Sequence, residues 1–468
     1  MKRDDELTLS IQEYALDGKC VARVEGFVVF VRGALPGDTV RARVVRARKN
    51  YADAELVEVI EPSPRRVRPP CRYFGTCGGC RWQHVDYTEQ LAFKRRHVID
   101  ALERVGRLHG LEVRPTLAAA PTYYYRNKME FSFGERWLTG EERSDMNADR
   151  FALGLHIPQR FDKVVDLEEC HLQSETSVRI VNAVRQFCRL RSLTTYATRT
   201  HTGYLRNLVI REGRRTGQVM VNLVTSEDRP ALMEEFTQLL VREFPQVTTV
   251  CNNITQRKSQ VALGDVERVY HGPGYIVERI GDNLYHISAN SFFQTNTEQA
   301  ERLCDAAVRM ASCVPEDTVL DLYSGTGTIA LHMARGVREV IGIEAAEAAV
   351  RDAERNARVN RIGNCTFMSG DVKEKLTRDT AWMGPHAAPS VVVVDPPRAG
   401  AHEKVVRQLA RMRPSRIVYI SCNPATQARD LALLCGSAPY EVVEVQPVDM
   451  FPHTSHVENL VSLHLRHV

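Results

Sequence analysis

No apolar run in this sequence is long enough to cross a bilayer: the longest aliphatic stretches, such as Val391–Val394, fall far short of the roughly 20 residues a spanning helix needs. No apolar signal core follows the charged start Met1–Glu6, so the expectation is a cytoplasmic protein with no membrane partner. Internal repeats and low-complexity tracts are missing, which excludes solenoids and long disordered linkers. A strong net charge is missing too. The 62 Lys+Arg and 58 Asp+Glu leave +4 over 468 residues, too little to define a partner for the whole chain. What is present is a globular composition, 43% hydrophobic and 26% charged, of a length that suits about three domains.

The charge is unevenly placed. Residues 1–114 hold 21 Lys+Arg against 16 Asp+Glu, and the remainder holds 41 against 42. Arg41, Arg43, Arg46, Arg48 and Lys49, then Arg65, Arg66, Arg68 and Arg72, make a cluster that suits phosphate contacts, with a solvated charged face as the plainer alternative. Twelve cysteines in a long chain with no secretion signal point to free thiols, a metal site or catalysis rather than to disulfides.

Five short strand-like runs between residues 7 and 60, separated by Gly18, Gly26 and the Leu35–Asp38 turn, predict a small closed β-barrel of the kind that presents a basic face to oligonucleotides. Glu61–Pro64 reads as a linker. Residues 87–107 have helical spacing, with Leu91, Val98, Leu102 and Val105 on one face. Residues 120–283 mix strand-like alternation with a helix near 229–243, an α+β pattern. From about 284, strands at 318–322, 339–343, 364–368, 391–395 and 416–421 alternate with helices, which predicts a parallel doubly wound sheet with ligands at the carboxyl ends of its strands. Two further β runs follow near 441–446 and 457–466. The expected fold class is thus multidomain α/β, with units at 1–64, at 65–85 with 116–283, and at 86–115 with 284–468.

Three sites can carry chemistry. Asp321-Leu-Tyr-Ser-Gly-Thr-Gly327 is a glycine turn between strand and helix, and Glu344 ends the next strand, where it can reach ribose hydroxyls. The turn alone fits a dinucleotide or S-adenosylmethionine. Asp395-Pro-Pro-Arg398 and Ser421-Cys-Asn-Pro424 each put a reactive side chain at an apolar strand end, stopped by proline. In a doubly wound sheet these ends face one crevice, which places Cys422 beside the cofactor turn as a potential nucleophile. Alone, Asp395 would merely cap a turn and Cys422 would merely pack. Cys71-Arg-Tyr-Phe-Gly-Thr-Cys-Gly-Gly-Cys80 supplies three thiols, and Cys170 among polar residues is the nearest candidate for a fourth. Spacing leaves an iron-sulfur cluster and zinc both open.

These motifs, in this order and nearly end to end, resemble the S-adenosylmethionine-dependent RNA uridine-C5 methyltransferases of the RumA/TrmA type. The residues that carry the resemblance are a TRAM-like (OB-like) barrel, Cys71…Cys77-Gly-Gly-Cys80 with Cys170, Phe292-Phe-Gln294, the Asp321–Gly327 turn, Asp395-Pro-Pro-Arg398, Ser421-Cys-Asn-Pro424 and His456-Val-Glu458. The resemblance implies Cys422 as nucleophile and Glu458 as base. It implies Gln294, Tyr323, Thr328, Glu344, Asp371 and Asp395 around the donor and target base, and Cys71, Cys77, Cys80 and Cys170 as ligands of a 4Fe-4S cluster. Ser324 and Thr328 stand where family members often have cysteine and asparagine. The implied partner is RNA, with large-subunit ribosomal RNA preferred over transfer RNA and a monomer as the default state. An iron-sulfur dinucleotide oxidoreductase is the rival enzyme reading, but it leaves the Cys422 and Asp395 strand ends idle. A silent RNA-binding scaffold is a second rival, which the intact set of Cys422, Glu458 and Asp395 opposes.

Overall fold

The structure, a computed structural model, describes every residue except 16, 17, 146, 260, 261, 385, 387, 467 and 468. Among the described residues no helix is long and apolar enough to cross a membrane.

The chain opens with six strands: Glu6–Ser10, Glu13–Tyr14, Lys19–Val24, Phe27–Arg32, Thr39–Ala47 and Tyr51–Glu61, paired in the order first, fifth, sixth, fourth, third, second. All neighbours are antiparallel except the fourth and sixth. The period-2 pattern of a strand explains the core: Val40, Ala42 and Val44 are buried while Arg41 and Arg43 face outward. The five expected strands are present, and the two-residue strand Glu13–Tyr14 is an addition.

The central sheet has seven strands in the order Val266–His271, Val247–Ile254, Val219–Thr225, Leu205–Glu212, Lys128–Arg136, Phe151–Ile157 and Arg160–Asp166. Helix Pro230–Glu243 lies where it was expected and opens with proline in its first turn, where the missing N–H is not needed. Helix Glu175–Leu190, capped by the Ser174 hydroxyl accepting from the Ser177 N–H, was not anticipated. Phe187 and Phe236 from the two helices meet edge to face in the core. A hairpin, Tyr275–Ile280 with Asn283–Ser288, follows. The unit boundary expected at 283/284 falls inside its second strand, and Ile276, Ile280, Tyr285 and Ile287 share one core with Ala300 and Leu303 of helix Thr297–Ala311.

The C-terminal sheet runs Cys365–Ser369, Glu339–Glu344, Thr318–Leu322, Val391–Val394, Arg416–Ser421, Glu458–Leu465, Tyr440–Val448. The first five strands are parallel, Glu458–Leu465 runs antiparallel to them, and Tyr440–Val448 pairs antiparallel with Glu458–Leu465 at the edge. Strand order reverses between Thr318–Leu322 and Val391–Val394. That reversal opens a crevice at the carboxyl ends, where such folds take ligands.

Helix Tyr87–Arg104 packs on helix Pro424–Ser437 of this sheet. Val98 and Leu102 are buried as expected, whereas Val105, just past the helix end, is half exposed. Lys94 occupies the same buried face. Its side chain is fully buried and ion-paired with the equally buried Asp449, and its ammonium also donates to the Phe451 carbonyl at 3.0 Å. Tyr87 donates to the other Asp449 oxygen at 2.8 Å. Removing one member of a buried pair strands the other charge. Lys94→Ala is therefore expected to lower stability by about 3–5 kcal/mol, and the double change Lys94→Met with Asp449→Leu to recover most of it, both read by urea denaturation.

Candidate active site

Strand Thr318–Leu322 delivers Asp321 into the interior at 1% exposure, and neither of its carboxylate oxygens meets a partner at full hydrogen-bond geometry, the Ala330 amide being a weak donor. Burial, then the charges of Asp395 and Glu344, push this carboxyl well above its ordinary value, with the Ala330 amide acting the other way. The chain then turns through Tyr323, Gly325 and Gly327, all at positive φ. The Gly325 N–H donates to Glu344 at 3.0 Å, and the other Glu344 oxygen accepts from the Ala346 N–H at 2.8 Å. A side chain built on Gly325 would meet nothing within 4 Å, so the turn faces open space. Thr328 begins the next helix.

Burial, then Asp371 and Asp430, push the Tyr323 hydroxyl up to about 12. Asp371 is exposed and accepts from the Glu374 N–H at 3.0 Å as the cap of helix Val372–Thr377. Gln294 sits on the segment before helix Thr297–Ala311, its carbonyl accepting from the Asn127 amide at 3.0 Å. Two residues earlier Phe292 is 68% exposed, although Phe293 is buried.

Cys422 ends strand Arg416–Ser421, and Asn423 after it caps helix Pro424–Ser437. The Asn423 side-chain amide and the Thr426 hydroxyl both donate to the Arg398 carbonyl, at 3.1 and 3.3 Å. This ties the Asp395–Arg398 loop to the cysteine turn. Burial, then Glu458, push the Cys422 thiol up to about 11; Arg398 acts against them and Asp395 with them. Glu458 is buried, and its carboxyl is pushed well up by burial and by Asp395, again opposed by Arg398. Asp395 remains partly open to the crevice, and its low-polarity surroundings push its carboxyl up to about 6. Cys422, Glu458, Asp395 and Asp321 thus form one electrostatically coupled group.

Glu458 stands at the end of the Asp449–Val457 loop, which the rest of the chain holds at many points. Gln90 accepts from the His453 N–H at 2.9 Å, Tyr125 donates to the Pro452 carbonyl at 3.1 Å, and Asn296 donates to the Met450 carbonyl at 3.1 Å. The Arg81 and Trp82 N–H groups donate to the His453 carbonyl at 2.9 and 3.0 Å. Arg81 directly follows Cys80, so the cysteine loop and the loop bearing Glu458 are joined. His456 lies 3.4 Å from the Arg398 guanidinium.

Cys71, Cys77, Cys80 and Cys170 line one small cavity. Each thiol is raised first by burial, Cys77 and Cys80 to about 12, and Cys170 bears on the other three. The Gly79 N–H points at the Cys77 sulfur at 3.4 Å. A Cβ on Gly78 would lie 2.7 Å from the His156 carbonyl, so only glycine fits that approach. Among the described residues no group of three or more His, Cys, Asp or Glu side chains is placed so as to hold a metal ion.

Much of the basic cluster is internally matched. Arg41 and Arg43 pair with Glu6, Arg65 with Glu89, Arg66 with the buried Asp38, and Arg72 with Glu168. Arg46 instead lines a groove between the barrel and helix Tyr87–Arg104.

Residues 4–57 match the TRAM domain, and residues 267–466 match the tRNA (Uracil-5-)-methyltransferase family. An uncharacterised RNA methyltransferase of Chlorobaculum tepidum is 45% identical over 98% of this chain and 96% of its own length, and one of Bacteroides thetaiotaomicron is 43% identical over 97% and 100%. The chain belongs to the uracil-5 RNA methyltransferase family. A solved relative in this family, the tRNA (uracil-54, C5)-methyltransferase of Pyrococcus abyssi in complex with S-adenosyl-L-homocysteine, is 30% identical with a TM-score of 0.76, covering 98% of this chain and 99% of its own.

Within this family member, sequence reasoning overlooked Asp321 as a buried unpartnered carboxylate, Arg398 as the cation facing Cys422 and Glu458, and the Lys94–Asp449 anchor. Lys94 was detectable, since a lysine four residues before Val98 falls on the apolar face of its helix. The other two depend on contacts distant in sequence. Because folding raises the Asp395 pKa, the folded state binds its proton more tightly, and stability falls as pH rises from the ordinary carboxyl range through about 6. Asp395→Asn is therefore expected to melt like the parent near pH 4 and above it beyond pH 6, checked by thermal melts across that range.

Proposed function

We propose that this chain transfers a methyl group from S-adenosylmethionine to C5 of a uridine in RNA through a covalent Cys422 adduct, giving 5-methyluridine. The observation that carries this reading is the convergence of Cys422, Glu458, Asp395 and Arg398 at the carboxyl ends of parallel strands, beside a glycine turn facing open space.

The turn suits the donor. Asp321 offers unpartnered buried oxygens, the Ser324 and Thr295 hydroxyls are likewise unpartnered, and no Cβ blocks Gly325. Tyr323, Thr328, Glu344, Asp371 and Gln294 would hold the donor from the surrounding strand ends, and the bound donor supplies an electrophilic methyl on a sulfonium. Uracil C5 is a weak nucleophile. Cys422 reacts as the thiolate that Arg398 favours: its addition to C6 makes the ring an enolate, whose C5 takes the methyl and releases S-adenosylhomocysteine. The carbon then bears both its proton and the methyl. Glu458, made more basic by burial, removes the proton, and the electron pair left behind re-forms the double bond and expels the Cys422 thiolate. Arg398 favours the ionised forms of both groups. A target inside a helix would be flipped out to reach the crevice.

Cys422→Ala is expected to abolish tritiated methyl transfer into RNA from cells lacking the gene, by at least about 10³-fold. Glu458→Gln is expected to accumulate a protein–RNA adduct that survives denaturing electrophoresis. Near-normal transfer by Cys422→Ala would remove the covalent scheme.

Large-subunit ribosomal RNA is the preferred substrate, since a TRAM-like barrel with a four-cysteine site resembles that branch. Transfer RNA is the second reading, favoured by the Pyrococcus abyssi relative. We place the enzyme in the cytoplasm as a monomer, and divide it into the barrel, the central unit and the sheet unit that includes helix Tyr87–Arg104. Cys71, Cys77, Cys80 and Cys170 would hold a 4Fe-4S cluster: four thiols share one cavity, Gly78 permits the close wrap, and the Gly79 amide aims at a sulfur. Anaerobically purified protein is expected to contain about four iron atoms and four acid-labile sulfides; stoichiometric zinc without sulfide would overturn the assignment.

A further inference from the structure

A cavity of about 530 Å³ lies between the cysteine loop, the central sheet and the loop that carries Glu458. Arg81, Arg126, Lys128, His156 and His456 line it, and among the described residues Glu130 is its single carboxylate. Glu130 is held by Lys128 at 2.5 Å. Arg126 makes a long contact from its guanidinium to the Met129 sulfur at 3.6 Å, lies over the Phe451 ring, and bears on the Tyr125 hydroxyl and on the Cys80 and Cys170 thiols, while its buried Nε meets no acceptor. The wall is therefore cationic beyond what its own carboxylate balances.

The position of the cavity identifies its ligand. Thr454, Ser455 and His456 form one wall, and Glu458 follows two residues later; Thr295 on another wall directly follows Gln294. The cavity thus borders the segments that carry Glu458 and Gln294. The volume is that of a pocket for one nucleotide.

We infer that this cavity is a subsite for the nucleotide adjoining the target uridine, with Arg126 and Lys128 taking its phosphodiester and His456 at the base edge. The inference rests on the methyl transfer reading above and adds to it a specific point of RNA contact on the cysteine-loop side. Gly78 and Gly79 also line the cavity, so the loop that wraps the four thiols forms part of the RNA surface. His456 is exposed at the cavity, yet the protein packed around the ring, and then Arg398, Arg81, Lys94 and Arg126, push it down to about 4, so that it meets RNA as a neutral donor and acceptor.

The test uses the full-length enzyme and total RNA from cells lacking the gene. Arg126→Gln and Lys128→Gln are each expected to raise the RNA KM about tenfold, to change kcat by less than about threefold, and to lower the slope of log affinity against log salt by about 0.7, the value for one lost phosphate contact on a single strand. Binding of S-adenosylhomocysteine should be unchanged, which shows that the fold survives. Arg126→Lys should restore most of the KM. Arg338→Gln, an equal charge loss at the opposite end of the sheet, should alter none of these. If the two cavity variants match Arg338→Gln in KM and salt slope, the subsite is wrong. If the parent enzyme methylates no RNA, the function reading fails, and the salt slopes of RNA binding alone then decide the cavity.

Discussion

The buried ion pair between Lys94 and Asp449 is the constraint on which the catalytic arrangement depends. Two charges at zero exposure are tolerated only if each is fully partnered. Here the ammonium also reaches the Phe451 carbonyl, and the carboxylate also takes the Tyr87 hydroxyl and the Phe451 N–H. That requirement orders the start of the loop leading to His456 and Glu458. A helix near the front of the chain thereby sets the loop bearing the proposed base, more than 350 residues later.

The same low polarity that makes this pair exacting governs the crevice. Asp321, Asp395 and Glu458 crowd three carboxyls together, and burial drives all of them upward. Arg398 is the cation that opposes this around Cys422 and Glu458, and its own loop is held by Asn423 and Thr426. Fold and chemistry are linked at that point: the residues that start the helix after Cys422 also position the charge that favours its thiolate.

The cysteine loop belongs to the same network. Through the Arg81 and Trp82 amides it grips the His453 carbonyl, and through Gly78 and Gly79 it borders the cationic cavity. A cluster bound there, as proposed, would stiffen both the loop bearing the proposed base and the proposed RNA path.

The parallel strands and their alternating helices were legible in the sequence because burial on both sheet faces leaves continuous apolar runs such as Val391–Val394, and proline marks where the runs stop. The barrel was legible from period-2 alternation around Val40, Ala42 and Val44. Helices Glu175–Leu190 and Thr297–Ala311 went unanticipated. The sequence by itself determined the candidate side chains Cys422 and Asp395, since each directly follows an apolar strand, and Glu458, which follows a short polar loop. Only tertiary structure decided how they act on one another. Strand order, the Lys94–Asp449 pair and the placement of Arg398 are contacts between distant segments, and neither local periodicity nor spacing encodes the electrostatic environment those contacts create.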